Sequence, residues 1–274
     1  MRRLLWLGLW LLFAAPAAQA ESLEDANALY EQGDFRGALE IAGPLAEAGD
    51  AAAMHAMAIM LIEGRGGSSD VAAGRIWAEK AAALGHAPAQ HALGLLHIGA
   101  TGGEPEWDKA ASLFRSAAEQ GFAAAEYHLG VLYAEGKGVA RNLVEAGEWI
   151  KRAALQGHGD AVLDYAMMVY RGEGVQRDEA IGAQWLTVAA RQGNPVAQNR
   201  LAHVYLLGRG VEADPVEAAK WHMLATESGR PDAELDTFLG SLSEEQRERA
   251  RAGAESFKAE ALEKQAANGK SRPQ

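Results

Sequence analysis

The residues of this chain that could do chemistry are histidines, carboxylates and glycine-rich turns, and their spacing decides among the possible uses. Histidines stand at 55, 86, 91, 97, 128, 158, 203 and 222. A helical zinc site needs H-E-x-x-H or a similar spacing, which puts two imidazoles on one face; no pair here has it. His86 and His158 sit just before a helix start, where an imidazole caps the helix or is solvated. A serine nucleophile of the S-x-x-K type needs a lysine one turn on. No serine has one, K-T-G is missing, and there is no cysteine to serve as nucleophile, metal thiolate or disulfide partner. Carboxylates are abundant but fall on expected solvent faces, as in Glu244-Glu245 and Arg247-Glu-Arg249, with no pair marked for acid–base work. The pairs Gly64/Gly66, Gly136/Gly138, Gly172/Gly174 and Gly208/Gly210 would hold a nucleotide only after a strand and with a third glycine. Here they join helix to helix. No metal, cofactor or catalytic set is therefore expected, and recognition is the chemistry left.

Charge narrows the partner. The formal net charge is −11, which argues against nucleic acid, whose phosphates call for clustered Lys and Arg. A hydrophobic content of 49% with only 7% aromatics means that alanine supplies much of the core. Alanine favours helices and lets them approach closely.

The elements come from a repeat. Gly85, Gly121, Gly157, Gly193 and Gly229 fall 36 residues apart. Self-similarity at such a period signals stacked helical units, here 51–86, 87–122, 123–158, 159–194 and 195–230. Counting from the first residue of each, position 3 is always alanine and position 8 is Ala58, Gly94, Gly130, Ala166 and Ala202. Positions 3, 7, 8 and 11 share one helix face. Position 27 is Trp77, Leu113, Trp149, Trp185 and Trp221, followed at i+4 by alanine. The rings are expected in the core, over small residues of a neighbouring helix. The closing glycine suits a left-handed helix end; Asn194-Pro195 and Asp214-Pro215 read as helix starts. Repeat 87–122 departs from the pattern in the loop Gly99–Pro105, expected to be irregular, and in having Leu113.

The phrase A-x-A-x3-[LMY]-[GA]-x2-[YL]-x2-G-x-G-V, then A-x2-W-x3-A-A-x2-G, resembles the Sel1-like repeat, a relative of the tetratricopeptide repeat. The fit is complete at 123–158 and weakest at 87–122. The resemblance implies an all-α fold, a right-handed α/α solenoid of antiparallel helix pairs. It also implies a non-catalytic scaffold that binds a protein or peptide. The segment Tyr30-Glu-Gln-Gly33-Asp34-Phe35-Arg-Gly-Ala38 resembles a tetratricopeptide turn and places a capping hairpin at 21–50. After Arg230 the period is lost. Residues 231–266 are expected as a helical C-terminal cap, in which Leu239, Leu242, Ala250, Ala254, Phe257 and Leu262 could face the last repeat. A polar, disordered tail is expected at 267–274.

In tetratricopeptide solenoids helix A lines a concave groove, and carrying this over puts positions 2, 5, 9, 12 and 13 in front of a partner. The candidates are His55, His91, Tyr127, Leu163 and Asn199 at position 5, then Met167, His203, Tyr170 and Arg171. Position 5, more polar and more variable, is expected to be exposed; position 9 fits either the groove or the packing between A helices. An apolar floor edged with imidazole, phenol and charge suits an extended peptide or an amphipathic helix. Some cysteine-rich relatives are linked to β-lactam or cell-wall chemistry, so an envelope enzyme or peptidoglycan-binding protein stays as the alternative.

Met1-Arg2-Arg3, the apolar run Leu4–Ala15 and Ala18-Gln19-Ala20 have the form of a cleaved export signal. The run is too short to span a bilayer, which needs about 20 residues. A periplasmic location with no membrane anchor is expected, with secretion as the alternative.

Overall fold

The computed structural model describes residues 22–99, 102 and 104–270, so the expected export signal lies outside the described residues. Among these residues there are 14 helices and no strand. They form two compact units, 1–81 and 82–274.

The first unit holds α1 (Leu23–Glu31), α2 (Phe35–Glu47), α3 (Ala51–Glu63) and most of α4 (Val71–Ala83). Ser22 and Asp25 form a reciprocal capping box. Asp34 and Asp50 accept backbone N–H groups at the starts of α2 and α3. The core joins Ala26, Ala38, Ala42 and Met60. Tyr30 meets Phe35 edge-on with centroids 5.1 Å apart, and the Arg65 guanidinium covers both rings at 5.2 and 5.1 Å.

The second unit continues the pattern with helix pairs α5 (Ala87–His97)/α6 (Trp107–Glu119), α7 (Ala123–Glu135)/α8 (Leu143–Leu155), α9 (Gly159–Arg171)/α10 (Glu179–Arg191) and α11 (Pro195–Leu207)/α12 (Pro215–Glu227), then α13 (Ala233–Ser241) and α14 (Glu244–Lys270). Consecutive pairs pack as a repeat solenoid. Asn142, Asp178, Asn194 and Asp214 cap α8, α10, α11 and α12 through their side-chain oxygens. His86 and His158 cap α5 and α9, each ring accepting the N–H three residues on. The five closing glycines all have φ between 81° and 85°, the left-handed conformation that lets the chain reverse without a Cβ clash.

The tryptophans correct one expectation. Only Trp221 is buried; Trp77, Trp149 and Trp185 remain half-exposed. The core position is 28, where Ala78, Phe114, Ile150, Leu186 and His222 are at most 3% exposed. Position 28 points at the small residue of position 8: a Cβ on Gly94 would lie 2.5 Å from Phe114, and one on Gly130 would lie 2.6 Å from Ile150. Position 27 is rotated about 100° away on a helix, so its ring covers the packed layer from outside. Three of these rings carry a cation instead: Lys80 over Trp77, Arg152 over Trp149 and Lys220 over Trp221, at 4.1, 4.5 and 4.7 Å. Arg152 also pairs at 2.7 Å with Glu126. That carboxylate is buried and accepts a further hydrogen bond from Gln156 at 2.7 Å, as a buried charge requires.

At the C-terminal end Ser243 and Gln246 cap α14 reciprocally. Ala250 and Ala254 are buried, and Phe257 meets Trp221 at 5.3 Å. Leu262, in contrast, is 66% exposed and does not join this packing. The same helix continues through Lys270, into the segment expected as a disordered tail, while 271–274 lie outside the described residues.

Candidate functional site

Position 5 is not a free row. On α5, α7 and α11 it holds the next element. His91 Nε2 lies 3.2 Å from His128 Nδ1, and Tyr127 donates its hydroxyl to Asp164 at 3.1 Å. Tyr127 also stacks on His158 at 4.8 Å. Asn199 donates to Asp232 at 3.0 Å and is buried. The expected exposure of position 5 therefore fails outright at Asn199, because α13 begins directly above it and claims its amide. His55, His91, Tyr127 and Leu163 are half-buried. His55 belongs to the first unit and the others to the second.

Burial pushes the Tyr127 hydroxyl up, so the phenol stays protonated and remains a donor; burial also raises Asp164. Asp232 is held well below the usual carboxylate range, first by the Asn199 hydrogen bond and then by His203, whose Nε2 is 3.1 Å away. Asp232 also caps α13, so one carboxylate ties the last A helix to the C-terminal cap.

His128 is packed among Phe114, His91 and Tyr127, with ring centroids 5.1, 5.0 and 5.6 Å away. Its Nδ1 lies 2.7 Å from the Ala124 carbonyl. Burial lowers its basicity; His158 adds to the effect and Asp160 opposes it. The unfolded chain takes up this proton near pH 6.5 and the folded chain resists it. Stability contributed by neutral His128 is therefore present above that value and is lost as pH falls through it. We expect the denaturant midpoint to drop between about pH 7 and about pH 5, and to drop measurably less in His128→Asn.

At position 9 Leu95, Val131, Met167 and His203 keep partial exposure, as do Ile98, Ala134, Tyr170 and Leu206 at position 12. Their neighbours at positions 8 and 10 are buried. Of the candidates, Met167, Tyr170, Arg171 and His203 come together around one cavity of about 650 Å³. α9 and α11 form its sides, and Leu186 and Val204 are among its apolar lining residues. His91, Tyr127, Leu163 and Asn199 do not line it. Arg177, Arg200 and Arg209 do, and sequence reasoning did not select them. They occupy three different repeat positions, two of them in loops, so the period carried no signal for them. Among the described residues there is no cluster of His, Asp or Glu able to hold a metal, and no helix is long and apolar enough to cross a membrane.

A family model described as the Sel1 repeat matches residues 51–86, 87–122, 123–158, 159–194 and 195–229. Among solved structures the chain is similar to c5321, a protective antigen present in uropathogenic Escherichia coli strains, at 29% identity and a TM-score of 0.74; the match covers 89% of this chain and 55% of that one. It is also similar to a Sel1 repeat protein from Oxalobacter formigenes, at 27% identity and a TM-score of 0.69, over 87% of this chain and 97% of that one. The chain thus spans about half the length of the E. coli protein. No curated protein matches it. Proteins built from this repeat are generally non-catalytic scaffolds for protein–protein contacts. With its repeats in tandem and the helix pairs they encode, this chain belongs to the Sel1 repeat family.

Proposed function

We propose that the chain is a non-catalytic periplasmic scaffold that binds a peptide or helix segment of a partner protein along the A helices of its repeats. One observation carries the reading. The side chains at positions 9 and 12 of repeats two to five, apolar or aromatic except for His203, stay partly exposed while positions 8 and 10 are buried. Most of them rest on the core with part of their surface and leave the rest open to solvent, and such side chains recur from one A helix to the next. Partly exposed apolar side chains in such a series suit a segment that lays its own apolar side chains into a groove. The export-type sequence at 1–20 supports a periplasmic location.

Tyr170 lies on this row, at position 12 of α9, and Tyr127 is the partly exposed position 5 side chain of α7. Exchanging both for alanine is expected to lower capture of the bound protein in a pull-down by about tenfold or more, the loss seen for central aromatic anchors, with helical content unchanged by circular dichroism. Undiminished capture would remove this face from consideration.

A further inference from the structure

The cavity between α9 and α11 is charged against the trend of the molecule. In a chain of net charge −11, it is lined by Arg171, Arg177, Arg200 and Arg209 against Glu179 and Glu234. Arg177 is paired with Glu179, Arg171 with Glu173 at 3.5 Å, and the Arg209 charge partly offsets the upward push of burial on the Tyr170 phenol. Arg200 has no hydrogen bond or ion pair among the described residues. A guanidinium presents five N–H donors in a planar fork that fits a carboxylate with two parallel hydrogen bonds. Two guanidiniums with donors to spare, Arg200 and Arg209, thus line a cavity that also presents the apolar side chains Met167, Leu186, Val204 and Leu207.

From this we infer that repeats four and five bind an acidic peptide segment, with a carboxylate of the partner against Arg200 and Arg209 and an adjacent apolar side chain on Met167 and Leu207. The inference rests on the groove reading above and names the chemistry of its occupant. A short acidic segment is favoured over a long polyanion by screening. Charges farther apart than about 8 Å are largely masked at physiological salt, so a short ligand experiences mainly the local guanidiniums. A nucleic acid would extend over the acidic remainder of the surface.

The test uses fluorescence anisotropy of short labelled peptides with blocked ends and the purified protein. One peptide alternates leucine with Asp and Glu, a second carries Asn and Gln in their place, and a third carries phosphoserine. The acidic peptide is expected to bind at least about tenfold more tightly than its amide counterpart, a difference of about 1.4 kcal/mol, and to weaken as salt rises. Arg200→Gln combined with Arg209→Gln is expected to abolish that preference, whereas Arg251→Gln, an exposed site on α14, leaves it intact. Equal binding of acidic and amide peptides, or an unaffected double variant, overturns the inference; tighter binding of the phosphoserine peptide overturns the carboxylate assignment. Failure here is separable from failure of the groove reading. A protein captured through Tyr127 and Tyr170 whose binding ignores the double variant refutes only the acidic occupant. Capture insensitive to both sets of substitutions refutes the groove.

Discussion

Phe114→Ala is expected to destabilise the second unit by roughly 3–5 kcal/mol, the usual cost of emptying a fully buried aromatic site. The ring is 0% exposed. Gly94 lies against it so closely that a Cβ there would meet Phe114 at 2.5 Å. The His91 and His128 rings flank it at centroid distances of 5.5 and 5.1 Å. Backbone on one side and stacked rings on the other leave little room for collapse, which puts the loss in the upper part of the range. Leu113→Ala, one residue earlier in the slot filled by tryptophan elsewhere, removes a half-exposed side chain and should cost about 1 kcal/mol. Urea titrations of both variants decide the matter: equal losses would mean that position 28 holds the repeats together no more than position 27 does.

Gly174→Ala is expected to cost roughly 2–5 kcal/mol, combining about 1–2 for an alanine in the left-handed region with about 1–3 for overpacking. Its φ is +73°, and a Cβ would stand 2.0 Å from the Leu143 carbonyl oxygen, at the start of the preceding repeat's second helix. Gly138 and Gly210 meet the Trp107 and Glu179 carbonyls in the same way, at 2.2 Å each. The second glycine of each pair is therefore the point where one repeat's loop rests on its predecessor's backbone, and a backbone neighbour cannot swing aside. Gly157→Ala isolates the conformational part. Its φ is +84° with nothing within 4 Å of the added Cβ, so it should lose only about 1–2 kcal/mol. Indistinguishable melting curves for the two variants would contradict this role of the second glycine.

These two predictions also mark where the sequence was legible. The glycines fixed the period because a left-handed turn tolerates few other residues, and the capping Asn and Asp residues placed most helix starts. The core was misplaced by one residue because tryptophan is conspicuous. Position 28 holds Ala78, Phe114, Ile150, Leu186 and His222, a set with no common type to mark it in the sequence. The candidate site was legible only in part. Position 9 could be weighed but not decided, because its exposure depends on how far apart successive A helices stand. Asn199 looked free until α13 brought Asp232 onto it. Arg177, Arg200 and Arg209 share no register, and only the packing of α9 against the elements around α11 gathers them.

The central claim is that the partner meets the A-helix face of the later repeats. A photoreactive phenylalanine analogue placed at Tyr170 and, separately, at Val188, an exposed position on α10, tests it most directly. Each form is irradiated in cells and its adducts are identified by mass spectrometry. The account predicts a discrete protein adduct from position 170 that is missing from position 188. No adduct at 170, or the same adducts from both positions, would contradict it.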